Sequence, residues 1–193
     1  MSLKLNPMKR ILDLTLALII LALSFMPLIW IAIAVMLTSK GPALHWSSRV
    51  GRHNRIFGMP KFRTMRIDTP QVATHLLRNP KQYETSIGPF LRKTSLDELP
   101  QLFNIFKGDM SFVGPRPALF NQHDLIQLRT KAKVHYLLPG LTGWAQINGR
   151  DTLSIPDKVA LDAEYLKQQS FIFDIRILWT TVLKVLKRDG VSH

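Results

Sequence analysis

Asp97 and Glu98 are adjacent carboxylates in the run TSLDELPQL, residues 94–102. Ionised carboxylates can serve as nucleophile, as base or as ligand to a hard cation. Their local setting bears on which form is present. Ser95-Leu96-Asp97-Glu98 matches a capping box, with Ser95 as cap and Glu98 reaching back. That register would set Pro100 where its missing N–H should meet the carbonyl of Leu96. A helix beginning nearer Asp97 instead places Pro100 in the first turn, where proline is tolerated. Asp97 and Glu98 then lie at the positive end of the helix dipole, which favours their charged form.

Cationic and amide groups follow in two rigid segments. GDMSFVGPRP, residues 108–117, reads as a short apolar strand and a Gly-Pro turn. Arg116 sits between two prolines there and is preorganised for bidentate phosphate binding, the alternative being a pair with Asp109. PGLTGWAQINGR, residues 139–150, is a shaped loop that offers Trp144 for stacking and Gln146 for hydrogen bonding. Upstream, Arg49, Arg52, Arg55, Lys61, Arg63 and Arg66 crowd one stretch. They make either a solvated face near anionic head groups or a surface that meets a pyrophosphate.

The chain has 193 residues, with 26 Lys+Arg against 13 Asp+Glu and a formal charge of +13. An anionic partner follows: nucleic acid, an anionic membrane or a phosphorylated substrate. The absence of cysteine excludes disulfides, thiolate metal sites and cysteine nucleophiles.

Residues 11–37 are almost wholly apolar, with Asp13, Thr15 and Ser24 as polar exceptions and Pro27 in the middle. The stretch is too long for a signal peptide and no small-residue cleavage site follows it. Lys4, Lys9 and Arg10 precede it; Lys40, Arg49, Arg52 and Arg55 follow. Cations at both ends favour a re-entrant hairpin over a span, since a hairpin keeps both clusters on the cytoplasmic side. Pro27 supplies the break, and Ser24 can satisfy a freed backbone group. Asp13 reads as an interfacial carboxylate paired with Lys9 or Arg10.

The remaining elements frame the candidate residues. Residues 42–65 predict two short strands joined by a turn. Residues 72–77 predict a helix, as do 99–106, 120–136 and 159–168. Asp174 is positioned to cap a last helix over 175–187, amphipathic, basic and Trp-bearing, suited to a membrane interface or to the core.

Taken in order, these blocks resemble the bacterial sugar transferase family, the monotopic phosphoglycosyl transferases. The carriers are the Pro27-broken helix, Arg49-Val50-Gly51, Lys61-Phe62-Arg63-Thr64-Met65, the Thr94–Leu102 run, GDMSFVGPRP and PGLTGWAQINGR. The likeness covers nearly the whole chain. It departs at the membrane break, where Met26, not serine, precedes Pro27. It resembles the minimal form, without the extra spanning helices of larger relatives.

The resemblance implies an α+β, mostly helical fold: a re-entrant membrane helix-break-helix over 1–40, then a small cytoplasmic catalytic domain over 41–193 with interfacial amphipathic helices. It implies transfer of a sugar 1-phosphate from a UDP-sugar, with an N-acetylated hexosamine expected, to undecaprenyl phosphate. UMP is released and surface glycan assembly begins (O-antigen, capsule or exopolysaccharide), on the cytoplasmic face of the bacterial inner membrane. Asp97 becomes the nucleophile and a ligand to Mg²⁺, and Glu98 its helper as metal partner or base. Arg116, Arg92, Lys61, Arg63, Gln146 and Arg150 become partners of the phosphates and the nucleotide-sugar. Membrane lipid is a partner, a second copy of the chain is a candidate one, and no nucleic acid is expected. The rivals are a membrane-tethered basic nucleic-acid-binding protein, for which no motif is present, and a lipid-phosphate hydrolase.

Overall fold

A computed structural model describes residues 7–70, 79–149 and 152–187. In chain order the elements are α1 (Pro7–Thr38), β1 (Leu44–Val50), β2 (Ile56–Phe62), α2 (Gly88–Lys93), α3 (Leu102–Lys107), β3 (Ser111–Val113), β4 (Ala118–Leu119), α4 (His123–Lys131), β5 (Gly140–Thr142), α5 (Trp144–Ile147), α6 (Ile155–Gln168) and α7 (Phe171–Lys187). The fold is mixed and mostly helical. One sheet has the order β2-β1-β4 and the other pairs β3 with β5. The helix predicted over 72–77 lies outside the described residues.

α1 runs 32 residues, about 48 Å at 1.5 Å per residue, and is long and apolar enough to cross a membrane. Much of its apolar surface is uncovered: Leu23 is 78% exposed, Trp30 68% and Leu37 82%. The helix continues through Pro27 and does not part into two at it. Ser24 donates to the carbonyl of Ile20 at 2.6 Å, not to that of Leu23, which Pro27 leaves without its N–H. Such back-bonding bends helices.

The described residues fall into two compact units. The first contains Met1–Ile19, Ser48–Met59 and Leu102–His193. Its strands β3 and β5 run parallel, with Ser111 opposite Gly140 and Val113 opposite Thr142. Gly114, Gly140 and Gly143 bring their backbones so close that a Cβ on any of them would strike main-chain atoms. This close approach is the reason for glycine in both motif loops. β1 meets β4 antiparallel, Val50 opposite Ala118, and Ala118, Leu125 and Val159 pack together.

The start of α1 is bound into this unit by charge. Lys9 Nζ donates to Asp174 Oδ2 at 2.6 Å, to the carbonyl of Val113 at 2.9 Å and to the hydroxyl of Tyr165 at 3.3 Å. Arg10 donates to the carbonyls of Ile105 and Phe106, at 2.6 and 2.8 Å, where a cation complements the end of α3. Tyr165 donates to the other oxygen of Asp174 at 2.6 Å; burial, then Asp174, pushes the phenol well above its ordinary range. Two expectations are corrected here. Asp13 is not paired with Lys9 or Arg10 at an interface: it is buried and accepts from Ser111 Oγ at 3.0 Å and Phe112 N–H at 2.9 Å. Asp174 is not a cap either. α7 starts earlier, at Phe171, and Ser170 Oγ accepts the N–H of Phe173 at 3.2 Å, while the buried Asp174 faces Lys9.

The second unit contains Ile20–Ser47 and Pro60–Gln101. Ile31 and Val35 of α1 pack on Phe62 and Leu91. Arg63 closes the end of α1: its guanidinium donates to the carbonyls of Ser39 (3.0 Å), Lys40 (2.6 Å) and Gly41 (3.1 Å), and to Ser39 Oγ at 2.8 Å. Gly41 has φ +108°, and a side chain there would enter the Arg63 guanidinium. Glycine is required on both counts.

Removing one member of the buried Lys9–Asp174 pair strands the other. Lys9→Met is expected to destabilise by about 3–5 kcal/mol, and Lys9→Met with Asp174→Leu to recover most of that. Unfolding of detergent-solubilised protein, followed by circular dichroism, checks both.

Candidate active site

Asp97 and Glu98 lie in a 3-10 helical run, Leu96–Gln101, that leads into α3. Pro100 falls inside this run, so the proline does set the carboxylates at a helix start, in a tighter helix than expected. The capping box is corrected: Ser95 has φ +56°, whereas a capping residue has extended backbone. Its carbonyl accepts the N–H of Glu98 at 3.2 Å, and the run begins as a turn.

Lys61, at the end of β2, joins the two carboxylates. Its Nζ lies 2.7 Å from Glu98 Oε1 and 3.8 Å from Asp97 Oδ2. Successive residues on a regular helix diverge by about 100°. Here both nevertheless reach one ammonium. The three side chains are largely buried, at 18%, 10% and 13% exposure for Lys61, Asp97 and Glu98. A charge-assisted contact in such a place is stronger than one at the surface.

The other sequence-predicted residues take separate places. Arg92, on α2, donates from Nε to Thr64 Oγ1 at 2.9 Å, with Glu84 3.8 Å from its Nη1. Thr64 follows Lys61 by three residues, so one segment carries the partners of both the carboxylates and Arg92. The guanidinium of Arg63 is held by the end of α1. Arg116 and Gln146 belong to the first unit. Arg116 lines a cleft with Gly51, Asn54, His135, Pro115 and Pro139. Asp109, the alternative partner, lies 2.9 Å from Lys107 instead. Both amide atoms of Gln146 are buried without a partner among the described residues. Trp144 is not open for stacking: it donates to Glu164 at 3.0 Å and packs 5.0 Å from Phe173. Arg150 lies outside the described residues.

Sequence reading missed Thr64 and Glu84 beside Arg92, and Arg129 and Asp162 beneath the Arg116 loop. Thr64 sat within a motif block. The others are joined only by folding and carry no local signal.

The bacterial sugar transferase family model matches residues 4–188. The chain belongs to the bacterial sugar transferase family. An uncharacterized sugar transferase, EpsL, of Bacillus subtilis (strain 168) is 41% identical over 96% of this chain and 91% of its own. The UDP-glucose:undecaprenyl-phosphate glucose-1-phosphate transferase of Escherichia coli (strain K12) is 42% identical over 92% of this chain and 40% of its own. The undecaprenyl-phosphate galactose phosphotransferase of Salmonella typhimurium is 38% identical over 95% and 41%. The chain thus spans nearly all of the first relative and about two fifths of the other two.

Among the described residues no three His, Cys, Asp or Glu side chains gather as a metal cage. Mg²⁺ takes one or two carboxylates and completes its shell with phosphate and water. Asp97 and Glu98 already share a cation and offer hard oxygen donors.

A double-mutant cycle over Lys61→Met and Glu98→Gln is expected to return a coupling of about 0.5–3 kcal/mol. Urea unfolding in detergent measures it, and zero coupling would mean the two groups do not interact.

Proposed function

We propose that this chain is a phosphoglycosyl transferase that moves a sugar 1-phosphate from a UDP-sugar to undecaprenyl phosphate. The observation that carries this reading is the Asp97–Glu98 pair gathered on Lys61 within a family of sugar transferases. The relatives' names support the lipid acceptor and the uridine nucleotide.

Asp97 is the nucleophile. Its carboxylate oxygen bonds to the sugar-bearing phosphorus. The bond from that phosphorus to the bridging oxygen breaks, and UMP leaves with the oxygen and the electron pair. A phosphate oxygen of the lipid then attacks the same phosphorus, releasing the carboxylate and giving the polyprenyl-diphosphate sugar. Two steps spare the site from holding two anionic substrates at once. Lys61 holds the carboxylates in place and Glu98 assists; Arg92 and Arg116 are each proposed as partners of the substrate's phosphates. Gln146, with its unpaired amide, is a further contact for the nucleotide-sugar. When bound by Asp97 and Glu98, Mg²⁺ supplies charge neutralisation on the phosphate oxygens. The sugar is a hexose or its N-acetylated derivative: the relatives' names point to glucose and galactose, the family resemblance to N-acetylhexosamine.

Asp97→Asn is expected to abolish both UMP release and a trapped sugar-phosphate adduct, assayed with radiolabelled UDP-glucose, UDP-galactose and UDP-N-acetylhexosamines. Chelation of Mg²⁺ should stop the wild type. Normal turnover by Asp97→Asn would end the covalent reading, and free labelled sugar phosphate without lipid product would indicate hydrolysis instead.

The reading includes an anchor over 1–40 that enters and leaves the inner membrane on its cytoplasmic face, followed by a catalytic domain over 41–193. The cations on both flanks of the apolar run support this. The exposed face of α7, with Ile172 and Trp179 at 81% and 65% exposure beside Arg176 and Lys187, suits the head-group layer. Single cysteines at residues 3 and 47 should therefore be equally shielded from an impermeant maleimide in intact cells. Opposite labelling would defeat the hairpin.

A further inference from the structure

We infer that the buried Arg129–Asp162 pair is a positioning device for Arg116, setting the apparent affinity for the nucleotide-sugar. This rests on the proposed role of Arg116 as a phosphate partner. Arg129, on α4, and Asp162, on α6, are 9% and 1% exposed. Nε and Nη2 of Arg129 donate to Asp162 Oδ2 at 2.9 and 2.7 Å. The remaining arm, Nη1, donates to the main-chain carbonyl of Arg116 at 2.8 Å. Burial pushes the Asp162 carboxyl up, and the Arg129 charge pulls it back.

The neighbouring carbonyls are held too. Pro115 accepts from Gly140 N–H at 2.9 Å and Pro117 from Arg49 Nη1 at 3.3 Å. Three successive carbonyls are thereby held, and both prolines fix their own φ. Arg129 and Arg116 line the same cleft, yet their parts differ. Arg129 is neutralised by Asp162 and spends its last donor on the backbone of Arg116.

Stability does not account for the pair. A buried ion pair contributes little beyond what apolar residues of the same volume would give. What an apolar pair cannot do is hold the Arg116 carbonyl. Moving that backbone by about 1 Å would displace the guanidinium from a phosphate, an error that can cost up to about 100-fold.

The test uses the full chain in detergent micelles, with UDP-sugar and undecaprenyl phosphate varied separately. Arg129→Met with Asp162→Leu removes the device without stranding a charge. It is expected to unfold near the wild-type temperature, to raise the KM for UDP-sugar about tenfold or more, and to leave the KM for the lipid unchanged. Arg129→Lys keeps the charge opposite Asp162 but lacks the fork, and should give a smaller rise in the same constant. It also serves if the double variant does not fold. Arg116→Ala is the reference and should raise the KM for UDP-sugar at least as much. If Arg116→Ala raises it and neither Arg129 variant does, the positioning inference is overturned while the role of Arg116 stands. If Arg116→Ala leaves it unchanged, both are overturned.

Discussion

A long apolar helix in lipid is free to slide and rotate unless something polar fixes its ends, and this protein fixes both. The Lys9 ammonium is shared among Asp174, Tyr165 and the Val113 carbonyl. That one contact joins α1 to α6, α7 and the strand that leads into the Arg116 loop. Its strength comes from satisfaction: a buried ammonium has three donors, and all three find oxygen. The opposite end uses another device, a guanidinium laid over the three carbonyls that follow the helix. Cation and helix dipole agree there. The segment that supplies Arg63 also supplies Lys61, so the residue that closes α1 lies two positions from the one that gathers the carboxylates.

The carboxylate pair shows how local backbone and distant charge combine. A regular α-helix would aim Asp97 and Glu98 apart. The 3-10 run, entered through the left-handed Ser95, brings both within reach of one ammonium. Backbone in that region costs of order 1 kcal/mol or more for a non-glycine residue.

Short-range features were legible in the sequence. Pro100 located the start of the helical run because its missing N–H forbids an interior position. The glycines of the two motif loops marked backbone approach, and the apolar run of 11–37 marked α1. The partners of charged residues were not legible. Asp13 was assigned to the cations nearest in sequence, yet its ligands are Ser111 and Phe112, almost a hundred residues away. Asp174 looked like a cap because aspartate is a good one, but Ser170 does that work and frees Asp174 for Lys9. Arg63 sat in a motif beside Lys61 and looked equally available to phosphate; only the fold reveals that the end of α1 takes it up. Pairing across a chain depends on which elements pack together, and no local pattern encodes that.

The excess of base over acid acquires a different meaning in this light. A formal charge of +13 suggests a broad polyanion-binding surface if the cations are taken to face water. Many do not. With half as many acids as bases, the chain satisfies several inner cations with carbonyl oxygens: Arg10 on Ile105 and Phe106, Arg52 on Tyr136, Arg63 on Ser39–Gly41 and Lys184 on Ile147. A carbonyl holds a cation without cancelling its charge. These groups therefore add positive potential from within while fixing loops and helix ends. Such a field favours a small, multiply charged ligand held at one place over a long polymer read along a surface, because the cations are spent on shape and cannot follow a backbone. Pyrophosphate and lipid phosphate, the anions of the proposed reaction, meet that description.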